Sequence, residues 1–432
     1  MTTELSTTLA QRVKARGPVE NGRRPKLGYP GILLIIAGGL LLLSVVRAVT
    51  GEVSLTNTGQ WSSAMTFAVP IGLAGLGGLW AERAGVINIG LEGMMMLGLF
   101  SAGWIGWQYG PWAAVLAGII GGMLGGLVHA IATVTFGVDH IVSGVAVNIL
   151  ALGVVQFLAK LWFGAEGSEA AASGGNDKQS PRMEGRIPVY TVPYLSDWLE
   201  SVHAKGWFFF SDAAGILRAG VADVSWLTLF AIMLFVVTYV VLWRTSFGLR
   251  LRSCGENPVA TESLGVNVYL YKYAALAVSG AFAGLGGAYL ANIIRMYQDG
   301  QTGGRGYLGL ATMIFGNWRP GGVAMGAGLF GFMDALQNRG GGATVHALLL
   351  FFALALACVA LWQWWRMRWV AAAVTGGLAV GFWLWFRYTE DMPTELVTAS
   401  PYITTLLVLT LFTQRLRVPK AIGKPYRRGQ GT

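Results

Sequence analysis

The sequence predicts an all-α, polytopic helical membrane protein with about 10–12 transmembrane segments and an inverted repeat. Three observations predict it. Of 432 residues, 54% are hydrophobic and only 12% charged, whereas soluble domains carry about 25% charged residues. Apolar runs follow one another along most of the chain, many of them long enough to cross a hydrocarbon core of about 30 Å. When those runs are threaded alternately through a bilayer, the large basic clusters fall on one side, as the positive-inside rule requires.

The elements follow in order. Residues 1–29 form a basic tail, with Arg12, Lys14, Arg16, Arg23, Arg24 and Lys26 against Glu4 and Glu20. The tail has no apolar run ending in a small-residue cleavage site, so a signal peptide is not expected, and its charge keeps it cytoplasmic. Residues 30–413 form the transmembrane domain. Its apolar segments are 31–49, 61–80, 94–109, 112–136 and 142–163, then 225–243, 273–293, 307–317, 321–337, 345–362, 369–386 and 400–413. Arg47 lies near the end of the first and can snorkel. The segments 307–317 and 400–413 are short of the usual 17–25 residues. The former reads as half of a re-entrant pair with 321–337, joined at Asn317-Trp318-Arg319-Pro320.

The polar stretches set the orientation. Residues 164–224 fall outside, with Trp198, Trp207 and Phe208–Phe210 placed to touch a membrane interface or a partner. The loop 244–272 falls inside with Arg244, Arg250, Arg252 and Lys272, as does the basic tail 414–432. Both termini are then cytoplasmic. The net charge of +10 is thus a topological signal and not a surface for nucleic acid. Two cysteines make no disulfide framework. There is no phosphate-binding G-x-x-x-x-G-K-[ST] loop, no H-E-x-x-H and no Cys-x-x-Cys. His129, His140, His203 and His346 are too widely spaced to suggest a ligand cluster and read as structural. No metal, cofactor or catalytic constellation is expected.

Glycine is patterned. Gly118, Gly121, Gly122, Gly125 and Gly126, then Gly280 and Gly284, then Gly322 and Gly326 have the small-xxx-small spacing that lets helices approach closely in lipid. The pentapeptide AGLGG occurs at 74–78 and 283–287. In the threading above, its two copies run in opposite directions, as an inverted repeat requires.

Three segments depart from lipid-facing helix. In AERAGVINIGLEG (81–93), Glu82 and Arg83 either pair or face water. Asn88, Gly90, Glu92 and Gly93 interrupt an apolar context. Irregular backbone at membrane depth is tolerated only where protein buries it or it lines a cavity. A carboxylate at the bilayer centre costs about 2.5–3.5 kcal/mol on insertion scales. Glu92 is therefore partnered, pathway-facing or placed in a turn near the interface. In the loop 244–272, Gly248 to Arg252 leads the chain out of the membrane. Asn257-Pro258 starts a short helix that Gly265 ends, a shape suited to docking a soluble partner. In 303–339, Asp334 and Gln337 lie in or near an apolar helix. Asp334 is a candidate for the pathway, or a structural acid paired with a residue such as Arg339.

These blocks resemble the permeases of bacterial ATP-binding-cassette importers, in the branch that carries nucleosides and simple sugars. The resemblance lies in ERAGVINIGLEGMMMLG (82–98), DHIVSGVAVNILALGVVQF (139–157), GLRLRSCGENPVATESLGVNV (248–268) and GRGYLGLATMIFGNWRPGGVAMGAGLFGFMDALQ (304–337). YITTLLVLTLF (402–412) and AIGKPY (421–426) resemble the family's C-terminal end. The first block is most similar to nucleoside permeases. The resemblance implies a translocating subunit without catalysis of its own, in the bacterial plasma membrane. Its implied partners are a second permease subunit, cytoplasmic ATPase subunits and an extracytoplasmic substrate-binding protein. It implies a substrate pathway near Asn88, Glu92, Asn148 and Asp334. It also implies ATPase coupling through Gly255, Glu256, Asn257, Pro258, Ala260 and Gly265. The stretch 164–224 is longer than the family leads one to expect, and 341–399 adds two apolar segments edged by Trp362, Trp364, Trp365 and Trp369. The alternatives are a sugar permease of the same class, an ion-coupled secondary transporter, and a membrane scaffold without transport.

Overall fold

The computed structural model describes residues 29–165, 167–390, 392–393, 395–400, 416–427 and 429. The basic tail before residue 29, the block 402–412 and nearly all of the segment 400–413 lie outside the described residues. Each apolar segment expected up to residue 386 falls on a helix. Helix α1 is Tyr29–Thr50, α2 Thr58–Arg83, α3 Leu91–Tyr109 and α4 Pro111–Ala130, the last running on through a π turn, Ile131–Thr135. Helix α5 is His140–Trp162, capped by Asp139, whose Oδ1 accepts from the amides of Ile141 and Val142. Then come α6 (Leu195–Ala204), α7 (Phe210–Ala219) and α8 (Trp226–Arg244), followed by α9 (Ser246–Glu256) and α10 (Pro258–Ser263). The last are α11 (Val268–Ile294), α12 (Arg305–Phe315), α13 (Pro320–Ala335), α14 (Gly341–Trp365) and α15 (Trp369–Tyr388). Among the described residues, seven helices are long and apolar enough to cross a membrane: α2, α4 with its π turn, α5, α8, α11, α14 and α15. This is a polytopic helical membrane protein.

The segment 164–224 is folded. Strands β1 (Val189–Tyr190) and β2 (Val224–Ser225) pair antiparallel, and α6 packs on α7. This cap is tied to the bundle by the Thr58 hydroxyl, which donates to Gly215 O at 3.0 Å, and by Arg47, whose Nε lies 3.0 Å from Asp212 Oδ1. Arg47 thus has a carboxylate partner on α7. Trp198, Trp207, Phe208 and Phe210 are exposed.

The glycine pattern explains the packing. Gly118, Gly122 and Gly126 face α11, where added Cβ atoms would lie 2.5 Å or less from Ala288 Cβ, Gly280 O and Leu276 O. Gly121 and Gly125 face α3 instead, against Ser101, Leu97 and Met94. Each Gly-Gly pair of α4 thus opens one seam on either side. Helices α2 and α11, which carry the AGLGG copies, cross antiparallel: Gly77 packs on Ser279 O and Gly286 on Pro70 O. The expected opposition of the two copies is present. Helices α12 and α13 form the expected short hairpin, with Gly316 against Gly322 and Gly326 against Thr312. The largest core cluster, which includes Leu73, Leu76, Leu79, Leu242, Leu251, Leu285 and Met313, fills the space between α2, α8, α9, α11 and α12.

Helices α14 and α15 pack on each other, and α14 also packs on α1. Their turn carries Trp364 edge-on to Trp369, and Arg366 sits 5.1 Å over Trp362.

Candidate functional site

Helix α2 ends in a Schellman turn. Gly85, at φ +85°, donates to Glu82 O, and Val86 donates to Ala81 O. The chain then runs as irregular backbone through residue 90, and α3 starts at Leu91. Side chains satisfy the polar groups of this break, as buried irregular backbone requires. His129 Nε2 lies 3.0 Å from Ile87 O, and a carbonyl only accepts, so Nε2 carries the proton. Its Nδ1 then accepts from the Ser143 hydroxyl at 2.9 Å. The Ile87 amide donates to His140 Nδ1 at 3.4 Å. Asn88 is fully buried; its Oδ1 accepts from the Gly90 amide at 3.0 Å, and its Nδ2 donates to Ser279 Oγ at 2.8 Å. Asn148 Oδ1 accepts from the Gly93 amide at 2.7 Å. Its Nδ2 donates to Ile89 O and to Tyr307 Oη, both at 3.0 Å. His140 is the first residue of α5 and Asn148 lies eight residues beyond it, or about 12 Å at 1.5 Å per residue, so the chain runs from the end of the bundle at Ile87 to well inside it at Ile89 and Gly93.

The first turn of α12 meets the break there. Glu92 is buried, and its two oxygens accept from the Gly304 amide at 3.0 Å and the Gly306 amide at 2.7 Å. The carboxylate therefore caps a helix N-terminus, where the macrodipole favours an anion. Only glycine fits at 306, because a Cβ there would lie 2.6 Å from Glu92 Cα and N. Arg305, one residue earlier, turns to α13, where its Nη2 and Nε donate to Asp334 Oδ2 at 2.6 and 2.9 Å. Its Nη1 reaches Gln301 O at 3.0 Å. The first turn of α12 is thus the hub: Glu92 binds its amides, Tyr307 reaches Asn148 and Arg305 reaches Asp334. Of the four expected pathway residues, Asn88, Glu92 and Asn148 gather at the break, and Asp334 joins through Arg305. Asp334 has its partner in Arg305, a residue that sequence proximity did not suggest.

Glu82 and Arg83 neither pair with each other nor merely face water. Glu82 is buried and accepts from Trp318 Nε1 at 2.6 Å, while Arg83 donates to Trp318 O at 2.6 and 3.1 Å. Both therefore grip the α12–α13 turn. That turn is a second Schellman arrangement, with Asn317 at φ +51° and Trp318 donating to Met313 O. Pro320 then opens α13 at its first turn. Sequence reasoning missed His129, His140, Ser279, Tyr307, Arg305 and Trp318 as members of this network. The signal available for the first two was a histidine on each of two consecutive apolar helices.

At the same end of the bundle, α10 has the start and stop that the sequence suggested. Asn257 Oδ1 caps the Ala260 amide at 3.0 Å, Pro258 occupies the first turn, and Gly265 follows at φ +81°. Residues Gly248–Arg252 form part of helix α9, directly after α8. Arg83, Arg250, Arg252, Glu256, Asn257, Ala260 and Leu264 line a groove of about 630 Å³. Leu264 is 83% exposed. Burial pushes the Cys254 thiol, on the inner side of α9, up to about 11. At the opposite end, a polar cavity of about 280 Å³ opens between α2, α8 and α11, lined by Ser62, Thr66, Arg186, Asp223, Thr228, Tyr289 and Asn292. Among the described residues, no group of three or more His, Cys, Asp or Glu side chains is arranged to hold a metal.

Residues 60–361 match the family described as the branched-chain amino acid transport system / permease component. The chain belongs to this permease family. The permease is 33% identical over 374 residues to the guanosine ABC transporter permease protein NupQ of Bacillus subtilis, covering 85% of this chain and 95% of that one. It is 30% identical to the nucleoside ABC transporter permease protein NupC of Lactococcus lactis, covering 84% and 94%. It is 31% identical to a putative glucose ABC transporter permease, TsgC13 of Haloferax volcanii, covering 62% and 73%. No solved structure matches the permease.

Proposed function

We propose that this permease translocates a nucleoside across the bacterial plasma membrane as the membrane subunit of an ATP-binding-cassette importer, with ATP hydrolysed on a partner subunit. The observation that carries the reading is the nearly full-length similarity to two nucleoside permeases. The chemistry of the break agrees with it. Helix N-termini inside transporters attract anionic substrate groups. Here the α12 N-terminus is already occupied by the chain's own Glu92, and Asp334 is neutralised by Arg305. Such a core suits a neutral, hydrogen-bonding solute better than the carboxylate of an amino acid. Asn88, Glu92, Asn148 and Asp334 then shape the pathway, and the open polar cavity beneath β1 and β2 offers the hydroxyl and amide groups that a nucleoside would meet on entry.

The end bearing α9 and α10 also carries Arg417, Lys420, Lys424 and Arg427, and the positive-inside rule supports a cytoplasmic side for it and, with it, for both termini. The groove along Gly255, Glu256, Asn257, Pro258, Ala260 and Gly265 is then the dock for an ATPase subunit. The 164–224 cap faces the substrate-binding protein, and the exposed apolar faces of α4 and α5 meet lipid or a second permease subunit. The likeness to TsgC13 favours one second reading, a simple sugar as substrate. Uptake of radiolabelled nucleosides and sugars into cells with and without this gene separates the two. Loss of nucleoside uptake alone supports the proposal; loss of sugar uptake alone supports the second reading.

A further inference from the structure

The described part of the C-terminal segment, residues 416–427, contains no helix or strand, yet it touches the three places on which the site depends. The Arg417 amide donates to Asn317 Oδ1, in the α12–α13 turn, at 2.7 Å. The Ala421 amide donates to Gly255 O, in the last turn of α9, at 2.9 Å. Two residues on, the Gly423 amide donates to Gly85 O, at the start of the break, at 3.2 Å. Tyr426 donates its hydroxyl to Glu262 on α10 and packs its ring tilted against Tyr269, with Lys272 Nζ 5.5 Å over its ring.

The junction is built for close approach. A Cβ on Gly255 would lie 2.3 Å from Arg83 O, and one on Gly85 would lie 3.1 Å from Gly255 Cα. Gly423 sits at φ +72°, and a Cβ there would lie 2.9 Å from Ile87 Cδ1. Ile87 is the residue whose backbone His129 and His140 hold. Gly85 and Gly255 are buried, and a buried carbonyl stripped of its partner is penalised. The segment therefore ties α9, the break and α10 together through Ala421, Gly423 and Tyr426, the first two in a turn over 420–423.

We propose that residues 416–427 are a positioning strap that makes α9–α10 and the break 84–90 move as one body, so that displacement at the partner-docking groove reaches the Asn88–Glu92–Asn148 network. The proposal rests on the coupling role given to α9–α10 above, and its test has an arm that does not.

The first arm is hydrogen exchange on the full-length permease in lipid nanodiscs. Tyr426→Phe and Gly423→Ala should speed exchange at both 84–90 and 256–265, although the hydroxyl that Tyr426→Phe removes bonds to Glu262, in the latter. Acceleration by Tyr426→Phe confined to 256–265 and 416–427, with 84–90 unchanged, overturns the strap. The second arm is the complex reconstituted with its cognate ATPase. Tyr426→Phe should leave ATPase copurification intact while lowering nucleoside moved per ATP at least about fivefold, the lower range of allosteric coupling. Transport and hydrolysis falling in the same ratio, or neither changing, also overturns it. A wild-type complex that moves no nucleoside sinks the proposed substrate, and the exchange arm then decides the strap alone.

Discussion

Replacing Glu92 with Gln tests what this buried acid does. The side chain keeps its length but loses its charge, and one of its two acceptor oxygens becomes an NH2 group. One of the Gly304 and Gly306 amides then faces a donor in place of an oxygen 2.7–3.0 Å away. A hydrogen bond to a charged group contributes about 1.5–3 kcal/mol, and a carboxylate at a partly buried helix N-terminus up to about 2 kcal/mol. The two effects overlap, so the loss should be about 3 kcal/mol. At about 2 °C per kcal/mol for a chain of this size, the melting temperature should fall by about 6 °C. A thiol-reactive dye can follow it in detergent, because Cys254 is buried and becomes reactive on unfolding. Cys358, which is exposed, is first replaced by Ala. The reasoning is refuted if the variant melts within about 1 °C of the parent while its KM for substrate rises, for then Glu92 contacts solute and does not cap α12.

The remaining predictions concern other contacts. Gly284→Ala should cost about 1–3 kcal/mol or more, since its Cβ would lie 2.2 Å from Gly118 O; Gly377→Ala, with nothing within 4 Å, should be neutral or stabilising by about 0.5–1 kcal/mol, and the same melting assay ranks them. Trp318→Phe should cost about 1–3 kcal/mol by leaving the buried Glu82 carboxylate without its indole donor, and a cycle with Glu82→Gln should show a coupling energy above about 0.5 kcal/mol. With its thiol pushed up to about 11 by burial, Cys254 is about 1% thiolate at pH 9; maleimide labelling of the folded permease should therefore be far slower than that of an ordinary thiol and still be climbing with pH at pH 9, where an ordinary thiol of pKa about 8.5 levels off, and a profile that levels off there would contradict its burial. In a cysteine-free background, a membrane-impermeant maleimide added to intact cells should label Trp198→Cys and not Leu264→Cys; the reverse would invert the proposed orientation.

The helices were legible because lipid exposure writes itself into local composition. Even the short α12–α13 hairpin could be read, since 307–317 was too brief to span and Asn317–Pro320 marked the turn. The glycine seams were legible for the same local reason, although composition could not show that Gly121 and Gly122 serve different neighbours. What could not be read was polar pairing between distant segments. Asp334 finds Arg305 across a helix hairpin, Glu92 finds amides more than 200 residues away, and Glu82 finds the Trp318 indole. No periodicity encodes such partners. The residues that needed them could be picked out, because a charge or an irregular backbone inside a bundle demands satisfaction. The residues that supply it, such as His129 and Ser279, look ordinary in sequence.

The most direct measurement is substrate accumulation in proteoliposomes holding the permease, its cognate ATPase and its binding protein, with radiolabelled nucleoside and ATP supplied on the appropriate sides. The account predicts nucleoside uptake that needs ATP and is not displaced by excess ribose, glucose or a branched-chain amino acid. Uptake of a sugar in place of nucleoside, or nucleoside movement indifferent to ATP, would contradict it.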